Sequence, residues 1–147
     1  MAGREVTPKV VLTRGTLVVM IPRRWAQSRR HAAIRAALVE WYRTHAEAYL
    51  APLVQRYADR LAVKFTSIRV RDMRTRWGSG GTSGRLRFNW RILMAPRRLV
   101  EYLVAHELCH IQCADHSQAF WRLFAKVMPD YERRRIELET NGPRYHL

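Results

Sequence analysis

Glu101-Tyr102-Leu103-Val104-Ala105-His106-Glu107-Leu108-Cys109-His110, with His116 a short way beyond, is the stretch on which the reading of this chain turns. Pro96 stands where a helix can begin without losing a donor, and Leu99, Leu103 and His106 recur at helical spacing. A helix is therefore expected from Pro96 to about Gln112. It sets His106 and His110 one turn apart on one face, where both imidazoles can reach a single cation. Glu107 lies about 100° around the helix from His106, off the ligand line but close enough to take a proton from water activated by the metal. A break at Cys113 to Asp115 lets the chain turn back and bring His116 to the same point. Three protein ligands with an open fourth position are what catalytic Zn2+ requires.

Other ligand sets remain open from the residues alone. His106, His110 and Cys113 share a face if the helix runs on unbroken, and a thiolate binds zinc well. Glu132, Glu137 or Glu139 from a last helix is a further choice, and packing or hydrogen bonding along a half-buried helix is the plain alternative for the imidazoles. Cys109 reads as a small buried hydrophobe.

Working outward, Phe120, Leu123, Phe124 and Val127 mark an amphipathic helix capped by Asp115 or Ser117, and a final helix is expected over 130–139. Upstream, 67–71 and 85–89 alternate apolar with basic residues as two half-buried strands. The glycine-rich run 77–84 between them suits a hairpin loop or an active-site rim. Lys9 to Thr13 and 16–21 read as a hairpin around Arg14-Gly15, and a long helix begins near Ser28, broken or kinked at Pro52.

The 147 residues, 48% apolar, suit one domain spanning 1–147, with a core over about 6–138 and a frayed tail at 140–147. The cysteine spacing excludes a secreted disulfide scaffold. No segment is apolar enough to span a membrane or to serve as a signal peptide, so a cytoplasmic address is expected. The net charge of +15 comes from 27 basic and 12 acidic residues, and only Lys9, Lys64 and Lys126 of the basic ones are lysines. Such a field favours nucleic acid, nucleotides or an acidic protein, although arginine spread along the whole chain also fits a coding bias.

Taken together, Arg74-Thr75-Arg76-Trp77-Gly78-Ser79, Leu86-Arg87-Phe88-Asn89-Trp90, Pro96, the helix from Glu101 to His110, and Asp115-His116-Ser117-Gln118-Ala119-Phe120-Trp121 resemble the YgjP-like metallopeptidase domain, a relative of SprT-like zinc proteases. The resemblance covers nearly the whole chain. It implies a zincin-like α+β fold: a small antiparallel or mixed sheet, a long N-terminal helix and an active-site helix carrying the motif. It further implies His106, His110 and His116 as zinc ligands, Glu107 as catalytic base, and a protein or peptide substrate. In two respects the chain departs from the family's pattern. Gly80 stands where the family usually has Cys, and the β-rich region before the long helix is short. Zincins commonly hold the peptide as an added strand, for which 85–90 is the expected sheet edge. By the family's pattern Trp77, Ser79 and Asn89 lie near the rim, without a chemical role.

Two other functions compete. Arg69, Arg71, Arg85 and Arg87 should share one sheet face, and beside a metal they would hold a nucleotide triphosphate for hydrolysis. Alternatively, the chain is a nucleic-acid-associated zinc protein, though it has no recognition helix or zinc-finger spacing for sequence readout.

Overall fold

In a computed structural model that describes residues 6–146, Arg14 and Gly15 both take positive φ, 49° and 76°. That pair of left-handed residues is what a two-residue hairpin turn requires. It joins β1 (Lys9–Thr13) to β2 (Thr16–Met20) in antiparallel register, with Thr13 opposite Thr16. The first five residues and Leu147, part of the expected domain extent, lie outside the described residues.

The long helix α1 runs unbroken over Gln27–Leu61, with Pro52 inside it. Of the break or kink expected at Pro52, the break is thus overturned. Leu50, Leu53 and Val54 are buried on the core side, whereas Ala48, Ala51 and Pro52 face solvent. Packing holds the backbone on both sides of the ring, and water can serve the Ala48 carbonyl that Pro52 leaves without a donor. Pro52→Ala should therefore stabilise the fold by about 2 kcal/mol, the roughly 3 kcal/mol interior cost less up to about 1 from chain entropy. The check is thermal unfolding; a lower midpoint would mean that the ring itself packs.

The second sheet is mixed and three-stranded, in the order β3 (Ser67–Arg71), β5 (Arg85–Asn89), β4 (Gly78–Ser79). β3 pairs parallel with β5, and β4 pairs antiparallel with it. The expected substrate edge at 85–90 is corrected here: β5 is the central strand, hydrogen-bonded on both sides, and β4 is an edge. The glycine-rich run supplies both β4 and the turn into β5. Alternation sends Ile68, Val70, Leu86 and Phe88 inward and leaves Arg69, Arg71, Arg85 and Arg87 exposed.

The inward residues join Leu50, Val54 and Tyr57 of α1 and Leu99, Val100 and Leu103 of α2 (Arg97–Gln112) in one core. α3 (Gln118–Val127) closes it with Phe120 and Phe124, and α4 (Tyr131–Asn141) with Leu138. Of the two cap candidates, Ser117 takes the role, its hydroxyl accepting from the Phe120 N–H. In the described part of the tail expected to fray, Gly142–Arg144 forms a 3-10 turn, and Tyr145 packs edge-on against Trp77 with ring centroids 6.2 Å apart. Among the described residues no helix is long and apolar enough to cross a membrane.

Candidate metal centre

α2 is buried along most of its length, and its C-terminal half leaves His106 and His110 half exposed on one side. The helix ends as Cys113 turns to extended backbone, φ −128° and ψ 104°. The chain then doubles back through Asp115, and His116 arrives just ahead of the Ser117 cap. The Nε2 atoms of His106, His110 and His116 form a triangle with sides of 3.2, 3.1 and 3.2 Å.

Hydrogen bonding among themselves cannot explain that triangle. A neutral imidazole carries one N–H, and His110 spends its own on the Cys113 carbonyl, Nδ1 to O at 3.0 Å. Its Nε2 lone pair is left facing the other two nitrogens. Nitrogens held about 2.0–2.1 Å from a tetrahedral zinc stand roughly 3.3 Å apart, so the donor set fits such an ion. Burial, followed by the charges of His110 and His116, pushes His106 down to about 3. His116 is also lowered, first by burial and then by His110. Both shifts favour the neutral, ligating form.

Neighbours orient the rings. The Tyr102 hydroxyl lies 3.4 Å from His106 Nδ1, one turn back along α2, and burial raises its pKa to about 12, keeping it protonated. The Phe120 ring sits 4.6 to 5.3 Å from all three imidazoles, and Trp121 stacks on His116 at 5.7 Å. α3 thus forms an aromatic wall behind the triangle. These partners lie outside the motif; only the helical spacing of Tyr102 to His106 hinted at one of them.

Glu107 is 6% exposed, the only buried charged side chain among the described residues. Burial raises its carboxyl to about 7, against a downward pull from Arg76. The edge strand β4 crosses beside it: a Cβ at Gly78 would come within 3.1 Å of both Glu107 Cγ and the Arg87 carbonyl oxygen. Glycine is what allows β4 to approach so closely. A cavity of about 270 Å³ opens here, bordered by Arg76, Trp77, Gly78, His106, Glu107 and Arg135.

Asn89, placed at the rim without a role, proves to be a buried fastener. Its Nδ2 donates to the carbonyls of Met73 at 2.7 Å and Arg76 at 3.1 Å, and its Oδ1 accepts from the Arg91 N–H at 3.1 Å. It ties residues 73–76, of which Thr75 and Arg76 border the cavity, to the end of β5. Asn89→Ala should cost about 1–3 kcal/mol, because partly buried backbone groups lose their partners. Denaturant unfolding checks this; a change below about 0.5 kcal/mol would mean that water takes over the amide's bonds.

The rival ligands do not converge. The only described group of three or more potential metal ligands gathered at one point is the three histidines. Glu137 is engaged by Arg98 and Glu132 by Arg135, while Glu139 lines the cavity outside the triangle. Tyr131 stacks on Trp121 at 5.0 Å and serves packing. The triphosphate arrangement is also overturned. Its four arginines leave the sheet on the face opposite Leu86 and Phe88, away from the core that includes α2.

The family model described as "YgjP-like, metallopeptidase domain" matches residues 7–141. No curated protein matches in sequence. Among solved structures, the metallopeptidase zymogen of Pyrococcus abyssi abylysin is similar with a TM-score of 0.57 and 22% identity, covering 62% of this chain and 92% of that one. At that identity the likeness concerns the α+β, zincin-like fold.

Proposed function

The chain belongs to the YgjP-like metallopeptidase domain family, and on that premise we propose that it is a zinc peptidase in which His106, His110 and His116 hold the ion and Glu107 is the general base. Its substrates, as for any metallopeptidase, are proteins or peptides. The observation that carries the assignment is the triangle of Nε2 atoms 3.1 to 3.2 Å apart with a buried carboxyl one residue along the same helix. We propose further that the whole of 1–147 forms this one domain.

When bound, a zinc ion supplies Lewis acidity, making water acidic enough to act as a nucleophile near pH 7 and drawing electron density from a carbonyl. The chain's own residues do the rest. The Glu107 carboxylate accepts the proton of the attacking water, whose oxygen bonds to the scissile carbonyl carbon. The same carboxyl then delivers that proton to the amide nitrogen as the C–N bond breaks. Near-neutral proton affinity suits a group that must both take and give a proton. The open edge of β4 supplies unpaired backbone groups beside Glu107, where an extended substrate can add as a strand. Main-chain pairing of that kind is tolerant of side-chain sequence.

Elemental analysis of the purified protein, with turnover of an unfolded protein and of nucleoside triphosphates before and after chelation, tests the reading. One zinc per chain, with proteolysis lost on chelation and regained with zinc, is the expected result. Triphosphate cleavage without proteolysis, or full proteolysis by metal-free protein, would overturn it.

A further inference from the structure

The outer face of the three-stranded sheet carries Arg69 and Arg71 on β3 and Arg85 and Arg87 on β5. In the parallel register Arg69 stands directly opposite Arg87. Same-face residues recur about every 7 Å along a strand, and neighbouring strands lie under about 5 Å apart, so four guanidinium groups crowd one small patch. All four are exposed. The described ion pairs engage Arg91, Arg97, Arg98, Arg134 and Arg135, and none involves the sheet arginines. Of the remaining positions on this face, Ser67 and Ser79 carry no charge, and the uncharged Asn89 is buried where it holds residues 73–76. Like charges placed opposite each other across strands destabilise a sheet, and a bound polyanion would relieve that repulsion.

From this arrangement we infer that the outer sheet face docks the sugar–phosphate backbone of a nucleic-acid duplex, without regard to base sequence. Guanidinium forks bind phosphate oxygens bidentately, and the net charge of +15 draws a polyanion toward the molecule from a distance. The outward positions hold no aromatic ring on which unpaired bases could stack, which favours duplex over single strand. They also hold no apolar side chain to enter a lipid layer, which disfavours a membrane surface. Leu86 and Phe88, on the opposite face of β5, pack into the core that includes α2. A docked duplex therefore leaves the metal cleft open. The inference stands apart from the peptidase assignment, since it uses no residue of the metal centre.

The test is fluorescence anisotropy of a labelled mixed-sequence duplex with the full chain, over a salt series of about 50 to 200 mM. Replacing Arg69, Arg71, Arg85 and Arg87 together by Ser should lower the slope of log affinity against log salt by about 3 to 4, at about 0.9 per phosphate contact, and weaken binding about 100-fold. Replacing the exposed Arg24, Arg43, Arg122 and Arg133 by Ser removes the same charge elsewhere and should weaken it only a few-fold. Lys at the four sheet positions should keep the slope and lose a few-fold through the missing second hydrogen bond, which guards against misfolding of the Ser variant. Equal losses from the sheet and control variants would overturn the inference. So would no duplex binding, tighter binding of a single strand of equal length, or equal four-arginine dependence on phosphatidylserine vesicles.

Discussion

Glu107→Gln should retain one metal ion per chain and lower kcat for peptide hydrolysis by about 10² to 10⁴-fold, with KM little changed. The amide has nearly the shape of the carboxyl, so the tight approach of Gly78 to the Glu107 side chain is preserved. The three imidazoles belong to other positions and keep their geometry. What the amide lacks is a site that can take a proton from water and return it to the leaving nitrogen. A variant that lost its metal, or one that kept wild-type turnover, would remove Glu107 from the mechanism. The same substitution carries a second signature in metal-free protein. With the folded carboxyl raised to about 7 from its ordinary 4.5, the unfolded chain ionises first as pH rises. The folded state should then lose up to roughly 3 kcal/mol between about pH 4.5 and 7, and no more above that. Gln removes this loss, so the chelated variant should unfold at higher temperature than chelated wild type at pH 8, and the difference should vanish near pH 4.

His116→Ala should weaken zinc binding by about two to three orders of magnitude, as expected when one of three ligands is lost from a site holding its ion with roughly 10 kcal/mol or more. Its side chain is exposed and comes from the turn between α2 and α3, so metal-free stability should hardly move. Competition against a chromophoric chelator reads the affinity directly. Cys113→Ser is the matched control. Cys113 contributes its backbone carbonyl to His110 and lies outside the triangle, so its thiol should be dispensable. Zinc loss in Cys113→Ser together with full retention in His116→Ala would exchange one ligand model for the other.

The chain's own pattern carried the local elements and the motif. Strand boundaries at 67–71 and 85–89 follow from alternation, the first hairpin from Arg14-Gly15, and α2 from Pro96 onward, because each depends on neighbours a few residues away. One helical turn between His106 and His110 sets their shared face before any tertiary contact forms. What failed were statements about pairing and continuity. That β5 is central and β4 lies at an edge depends on which strands meet, and strand periodicity is blind to partners. Pro52 remains inside α1 because core packing on both sides outweighs a local penalty that the sequence displays plainly.

By itself, then, the sequence determined the helix, the imidazole pair, the adjacent carboxyl and the excess of arginine, all set by spacing and composition over short distances. Only the tertiary structure decided that His116 rather than Cys113 approaches the pair, that Gly78 presses an edge strand against Glu107, and that the sheet arginines face away from the core that includes α2. Those outcomes join residues from separate elements, and their relative placement is set by how the elements bury their apolar faces together.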